Sequence, residues 1–278
     1  MIFYKLSQAF LFRKDMIEYH RGESMYILAS DFDGTLTQQG TVSDKDKAAI
    51  AAWRKAGNLF GVNTGRGYYG IKAELGRHKV DYDFLLCNNG GLIYENETIP
   101  IEQKTADGKV LPSLVSFILE TGGFHAVIGR IEVDREVGYW ISDNMDRKPA
   151  PEFTRILMSN LNELMYFTQL STQYEKEEQA NEYTQQINEL FGNTVTAFQN
   201  GVCIDIVPVG VNKATGLLRY MILKKVPKEN VLVIGDNFND LDMILEFNGF
   251  SVNSGKPEVI IKSRKSFDNL AGLISEYI

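Results

Sequence analysis

Two aspartates one residue apart close an apolar run in "ILASDFDGTLTQQG", residues 27–40. Side chains on a strand repeat with period two, so Asp31 and Asp33 would project to one side. Two anions about 5 Å apart repel by roughly 3 kcal/mol at an effective dielectric of about 20. Asp-Gly-Thr is also ordinary turn chemistry, because Gly34 can take a positive φ and Asp33 can bond its own backbone. In water the repulsion falls below about 1 kcal/mol, so the pair alone does not separate a turn from a site.

Three further polar clusters lie just past apolar runs or at a helix start: Thr64-Gly65-Arg66 after "NLFGVN", Lys213 in "GVNKATG", and Asp236 through Asp240 in "GDNFND". Singly, these are a plain turn, a helix-cap lysine and an Asp-capped helix start. Together they suit one edge of an open parallel sheet, where ligands sit at the carboxyl ends of the strands. A carboxylate can take up a phosphoryl group as an aspartyl phosphate. Such a site must neutralise a phosphate and several acids at once, and Mg²⁺ does so with carboxylates, waters and phosphate oxygen. Asp31, Asp33 and Asp236 are the oxygen donors, and Lys213 is the fixed cation. The Thr64 hydroxyl and the backbone N–H groups near Gly65 would hold phosphate oxygens.

The elements that must position these groups follow from patterning. Tyr26 to Ser30 reads as a buried strand. Ser43 with Asp46 resembles a capping box, opening a helix that Gly57 stops. "NLFGVN" is a strand, a helix covers about Tyr68 to Leu75, and "DFLLCNNGG" is a strand ending in turn residues. This alternation implies an α/β fold with a doubly wound parallel sheet. After Gly91 the pattern changes. "GLIYENETIPIEQ" alternates like a hairpin, and a helix around Ser113 to Glu120 precedes two strand-like runs, "HAVIGRIEV" and "VGYWISD". The spacing predicts a helix from Pro151 to Glu163 and an amphipathic one from Glu175 to Leu190. "TVTAFQ" and "VCIDIVP" predict an antiparallel pair joined by Asn200-Gly201. The host pattern returns with a helix after Lys213, the strand "VLVIG", a helix from Leu241 to Phe247, the short strand "FSVN" and final helical segments. The expected organisation is an α/β host at 25–88 and 209–278 with an inserted α+β unit at 89–208.

The chain has 278 residues with 36 acidic and 29 basic side chains, a net charge of −7 and 44% hydrophobic residues. That size builds its own core without staples. No basic run or stripe points to nucleic acid, and no apolar stretch is long enough to cross a membrane. Cys87 and Cys203 form no metal spacing or disulfide framework, and Cys87 reads as a buried thiol. A cytoplasmic enzyme acting on a small molecule is expected, with oligomeric state open. Residues 1–24 make a poor signal peptide. Arg21-Gly22-Glu23 could be encoded by purine triplets resembling a ribosome-binding site, so Met25 is expected to be the biological start and 1–24 an extension.

"DFDGTLT", "NTGR", Lys213 in "GVNKATG" and "GDNFND" resemble, in order, the four motifs of the haloacid dehalogenase superfamily. The insertion, "NNGG" and "IDIVPVGVNKATGL" are similar to its Cof-type subfamily, which carries a large α/β cap. The resemblance implies a Mg²⁺-dependent phosphatase acting on a sugar phosphate or a nucleotide-like cofactor-precursor phosphate. It implies that Asp31 is the nucleophile and a metal ligand. Asp33 would protonate the leaving alcohol, then activate water, with its carbonyl on the metal. The Phe32 N–H, Thr64, Gly65, Lys213 and Asn239 would bind phosphate, Asp236 would be the third protein metal ligand, and Asp240 would orient or replace it. Asn63 before "TGR" and "FSVNSGKPEVI" in place of an "MGNA"-like stretch depart from the pattern. Arg130, Arg135, Tyr139, Trp140 and Asn144 are the cap residues that would read a leaving group, or else sheet, core and solvated residues. Rival readings are a sugar phosphomutase, a phospho-accepting signalling module and a non-catalytic binding protein.

Overall fold

The computed structural model describes residues 25–95 and 97–278, so the expectation for residues 1–24 lies outside the described residues. β1 (Ile27–Ser30) leads through α1 (Asp44–Lys55) to β2 (Leu59–Asn63), and through α2 (Tyr68–His78) to β3 (Phe84–Cys87). β4 (Leu92–Tyr94) and β5 (Glu102–Gln103) then run back antiparallel along the sheet edge. A second unit follows with β6 (Ala106–Asp107), α3 (Leu111–Glu120), β7 (Ala126–Glu132), β8 (Arg135–Ile141) and β9 (Phe153–Arg155). It continues with β10 (Tyr166–Phe167), β11 (Gln169–Gln173), α4 (Glu177–Phe191), β12 (Val195–Asn200) and β13 (Cys203–Pro208). The chain returns through α5 (Lys213–Lys224), β14 (Val231–Gly235), α6 (Leu241–Phe247), β15 (Phe250–Val252), α7 (Pro257–Lys262), β16 (Ser266–Phe267) and α8 (Leu270–Ile274).

The large sheet has the order β16-β15-β14-β1-β2-β3-β4-β5, and its first six strands are parallel. Alternation along β1 divides the core: Leu28 joins Ile50, Trp53, Ile71 and Leu273 on one face, and Ile27 and Ala29 join Leu217, Tyr220 and Met243 on the other. Each fully buried side chain of this kind stabilises by about 1.5–3 kcal/mol. Half of the expected capping box forms, because Asp46 Oδ2 accepts from Ser43 Oγ at 2.6 Å and not from the Ser43 backbone N–H. Ser43 Oγ accepts from Asp46 N at 3.1 Å, and Asp46 Oδ1 also accepts from Ala271 N at 2.8 Å, fastening α1 to α8.

The cap is built on the order β12-β13-β11-β7-β8-β9, antiparallel except for β8 with β9. Three expectations need correction. The hairpin of β4 and β5 pairs with β3 and belongs to the large sheet, so the chain crosses to the cap after Gln103 rather than at residue 89. The helix expected over residues 151–163 is instead β9 followed by a short 3-10 turn at Met158–Glu163. Pairing of Phe153, Thr154 and Arg155 with Gly138, Tyr139 and Trp140 overrides the local spacing. A short final strand, β16, also joins the sheet where only helix was expected. Among the described residues no helix is long and apolar enough to cross a membrane.

Candidate active site

β1, β2, β3 and β14 end together, and each hands the chain to a polar loop at the same edge. Asp31 follows β1, Thr64 follows β2, Asn88 follows β3 and Asp236 follows β14. Lys213 opens α5 beneath them, its side chain fully buried.

Lys213 Nζ donates to Asp31 Oδ1 at 2.5 Å and to Asp240 Oδ1 at 2.6 Å. Asp240 Oδ2 accepts from the backbone N–H groups of Asp236 and Asn237, at 3.0 and 3.1 Å, so both its oxygens are engaged. Thr35 Oγ1 donates to Asp236 Oδ1 at 2.6 Å. A Cβ on Gly34, whose φ is +92°, would stand 2.5 Å from Asp236 Oδ2. Only glycine lets this loop pass so close to the carboxylate.

Burial pushes the Asp31 carboxyl well above its ordinary range; Lys213 opposes that shift, and Asp240 and Asp236 add to it. Asp236 is raised by burial and by Asp240. Burial alone would lower the Lys213 ammonium, but Asp240 and Asp31 outweigh it and hold it above its usual value. One oxygen from each of Asp31, Asp236 and Asp240 lies within 4.8 Å of the others. Three carboxylates against one ammonium leave two negative charges unbalanced, and this all-oxygen set fits a divalent cation.

Asp33 sits apart from that cluster. Its exposed carboxylate takes two bonds from Arg66, Nε to Oδ2 at 2.6 Å and an Nη to Oδ1 at 2.7 Å. Thr64 Oγ1 accepts from Arg66 N at 3.2 Å. Among the described residues, the N–H groups of Phe32 and Gly65 have no hydrogen-bond partner, so both remain free to meet an anion. Asn239 Nδ2 lies 3.5 Å from Asn89 Oδ1.

Asp31, Asp33, Thr64, Gly65, Arg66 and Asn239 line one side of a cavity of about 380 Å³ between core and cap. The cap side presents His125, Gln169, Ser171, Thr172, Gln173 and Asp205. Arg130, Arg135, Tyr139, Trp140 and Asn144 do not line it. Arg130 lies over the Tyr166 ring and Trp140 stacks on His125 and Arg155 within the cap. Burial lowers the His125 imidazole and Arg147 adds to that shift, so this lining residue is neutral near pH 7.

The sequence reading assigns no role to Gln169 and Ser171, nor to Asn88, Asn89 and Asp205, although the last three lie in the quoted "NNGG" and "IDIVPVG" stretches. Asn88 and Asn89 are buried in left-handed conformations, φ 53° and 52°. Asn89 Nδ2 donates to Asp205 Oδ2 at 3.2 Å, and Ser171 Oγ to Asp205 Oδ1 at 3.0 Å. One signal for Asp205 existed. In "CIDIV" the isoleucines at 204 and 206 alternate into the cap core, which leaves the acid between them on the opposite face, toward the cavity.

A family model for haloacid dehalogenase-like hydrolases matches residues 28–269. The chain belongs to that family. The hydrolase is 23% identical over 271 residues to pyridoxal phosphate phosphatase YbhA of Escherichia coli (strain K12), across 91% of this chain and 97% of that protein. It is 23% identical over 278 residues to the 5-amino-6-(5-phospho-D-ribitylamino)uracil phosphatase YitU of Bacillus subtilis (strain 168), across 91% of this chain and 97% of that protein. A solved haloacid dehalogenase-like hydrolase from B. subtilis superposes with a TM-score of 0.78 at 15% identity, covering 91% of this chain and 100% of that one. The enzyme is a phosphoric monoester hydrolase of the Cof type.

Proposed function

We propose that the enzyme hydrolyses a small phosphorylated metabolite in a Mg²⁺-dependent reaction through a phosphoryl group carried on Asp31. The observation that carries this reading is the buried Asp31–Lys213–Asp240 chain beside Asp236, at the floor of a cavity with free backbone donors. Lys213 holds one oxygen of Asp31 and leaves the other to attack phosphorus. Asp33 enters this step protonated, with one oxygen still held by Arg66, and gives that proton to the leaving alkoxide as its P–O bond breaks. Asp33 then accepts a proton from water, which attacks the phosphorus and returns Asp31 as a carboxylate. The N–H groups of Phe32 and Gly65, Thr64 and Asn239 hold the phosphoryl oxygens through both steps. Mg²⁺ held by Asp31, Asp236 and the Asp33 carbonyl would supply two positive charges against the phosphoryl oxygens. Asp240 acts by fixing Lys213 and the loop that carries Asp236.

The cavity volume suits a small metabolite. Its cap side carries amides, hydroxyls and the Asp205 carboxylate, and among the described residues Arg66 is the one Lys or Arg in the lining. That lining favours a leaving group that is polar and uncharged, such as a sugar or a ribityl chain, over one bearing a second anion. The two curated relatives also act on compounds with a single phosphate, by their names.

The test is release of inorganic phosphate from p-nitrophenyl phosphate and from a panel of sugar, ribityl and pyridoxal phosphates, with Mg²⁺ and with excess chelator. Turnover with Mg²⁺, its loss in chelator and at least about a thousandfold loss in Asp31→Asn are expected. Parental turnover in Asp31→Asn, or interconversion of sugar phosphates without free phosphate, would overturn the proposal.

A further inference from the structure

The loop that carries Thr64, Gly65 and Arg66 is fixed at four consecutive backbone positions, and the cap supplies two of the four contacts. Thr64 O accepts from Asn89 N at 2.9 Å, and Arg66 O from Asn88 N at 3.1 Å. Between them, Gly65 O accepts from Nε2 of Gln169 on β11 at 2.9 Å. Tyr68 N, the first amide of α2, donates to Oε2 of Glu136 on β8 at 2.7 Å. Glu136 Oε1 accepts from Asn88 Nδ2 at 3.0 Å, so one half-buried cap carboxylate ties the loop to the turn beside it.

Local sequence leaves room for this contact. The N-cap of α2 is Gly67, which has no side chain to close the helix start. A Cβ there would stand 2.8 Å from Glu136 Oε2. The helix therefore takes its N-terminal acceptor from the other unit of the protein, where a carboxylate is favoured by the helix dipole.

In a trans peptide the N–H points opposite to the preceding C=O. Fixing Thr64 O on Asn89 therefore turns the Gly65 N–H toward the opposite side, where the phosphoryl group would sit. Gln169 does the same for the next peptide, whose Arg66 N–H meets Thr64 Oγ1. We infer that Glu136 and Gln169 are positioning residues: docking of the cap completes the phosphate cradle, and phosphate binding in turn favours the docked cap. This coupling rests on the proposed placement of phosphate at Thr64 and Gly65.

Hydrogen exchange over residues 64–70, with and without inorganic phosphate and Mg²⁺, tests the coupling in the intact protein alongside phosphate inhibition constants. In the parent, phosphate should slow exchange at Tyr68. In Glu136→Ala, Tyr68 should exchange rapidly whether or not phosphate is present, and phosphate affinity should fall about tenfold, since coupling between two sites is reciprocal. Gln169→Ala should weaken phosphate without exposing Tyr68. Glu136→Gln keeps one acceptor oxygen and should recover most of the affinity, which separates positioning from loss of fold. Parental phosphate affinity in Glu136→Ala would overturn the inference while leaving the catalytic proposal intact. Failure of the parent to bind phosphate at all would instead sink the catalytic proposal.

Discussion

Arg66 grips both oxygens of Asp33, at 2.6 and 2.7 Å, in an ion pair open to solvent at the mouth of the cavity. The guanidinium fork orients the carboxylate that the proposed reaction uses twice, and it leaves Asp31 to Lys213. A half-exposed pair of this kind contributes at most about 1 kcal/mol to stability. Arg66→Ala should therefore keep its melting temperature within a few degrees of the parent while kcat/KM falls about tenfold. Arg66→Lys, which lacks the fork, should resemble the alanine variant. Calorimetry paired with steady-state kinetics checks both.

Metal binding should register as stability. A ligand that binds only the folded state at a hundredfold its dissociation constant stabilises by about 2.7 kcal/mol. Mg²⁺ should raise the parent's melting temperature, and Asp236→Asn should abolish that rise. In chelator the same variant should melt above the parent, because it removes one of the carboxylates crowded around Lys213. A Mg²⁺ response retained in Asp236→Asn would remove Asp236 from the ligand set.

Asp205 gives a pH dependence of defined sign. Burial raises its carboxyl above the ordinary value, against hydrogen bonds from Asn89 and Ser171. Between the unfolded pKa, about 3.9, and the raised folded value, the native state holds more protons than the unfolded one. Its contribution to stability therefore falls as pH rises through that window and is constant above it. Asp205→Asn lacks this loss, so urea midpoints of variant and parent should diverge in the variant's favour from about pH 4 upward and then run parallel. A pH-independent difference would contradict the cost of burying this charge.

The two thiols should differ in reactivity. Cys87 is fully buried at the end of β3, and burial pushes its thiol well above its usual value, with Glu136 adding to the shift. Cys203 lies at the cavity wall and is only partly covered. Iodoacetamide at pH 8 should label Cys203 in the native protein and reach Cys87 only after unfolding, as peptide mapping would show.

The residues that form the floor of the site were legible because each follows its own apolar run. "ILAS" and "VLVIG" are buried on both faces of a parallel sheet, so the polar residue ending each run lands at the same edge. Thr64 was readable for the same local reason, and Lys213 because it stands at the start of a helix. Arg66 was visible as a cation, but its partner Asp33 is 33 residues away and set by how β1 and β2 pair. The cap lining was opaque in the same way. Gln169, Ser171 and Asp205 reach the cavity through the register of β11 on β13, while the aromatic and basic residues that stood out locally are spent within the cap. β9 was missed because Phe153, Ile156, Leu157 and Leu161 mimic helical spacing, whereas pairing with β8 is a non-local contact.

Gly91 stands where both traverses between the two sheets pass. Its carbonyl accepts from Lys104 N at 2.9 Å on the outgoing strand, and a Cβ on it would lie 3.7 Å from Val211 Cγ1 on the returning one. Two connections running side by side bend most readily about the line that joins them. Any swing of the upper body about that short axle would return Glu136 and Gln169 to the same two peptide groups, at Gly65 and Tyr68, without a search.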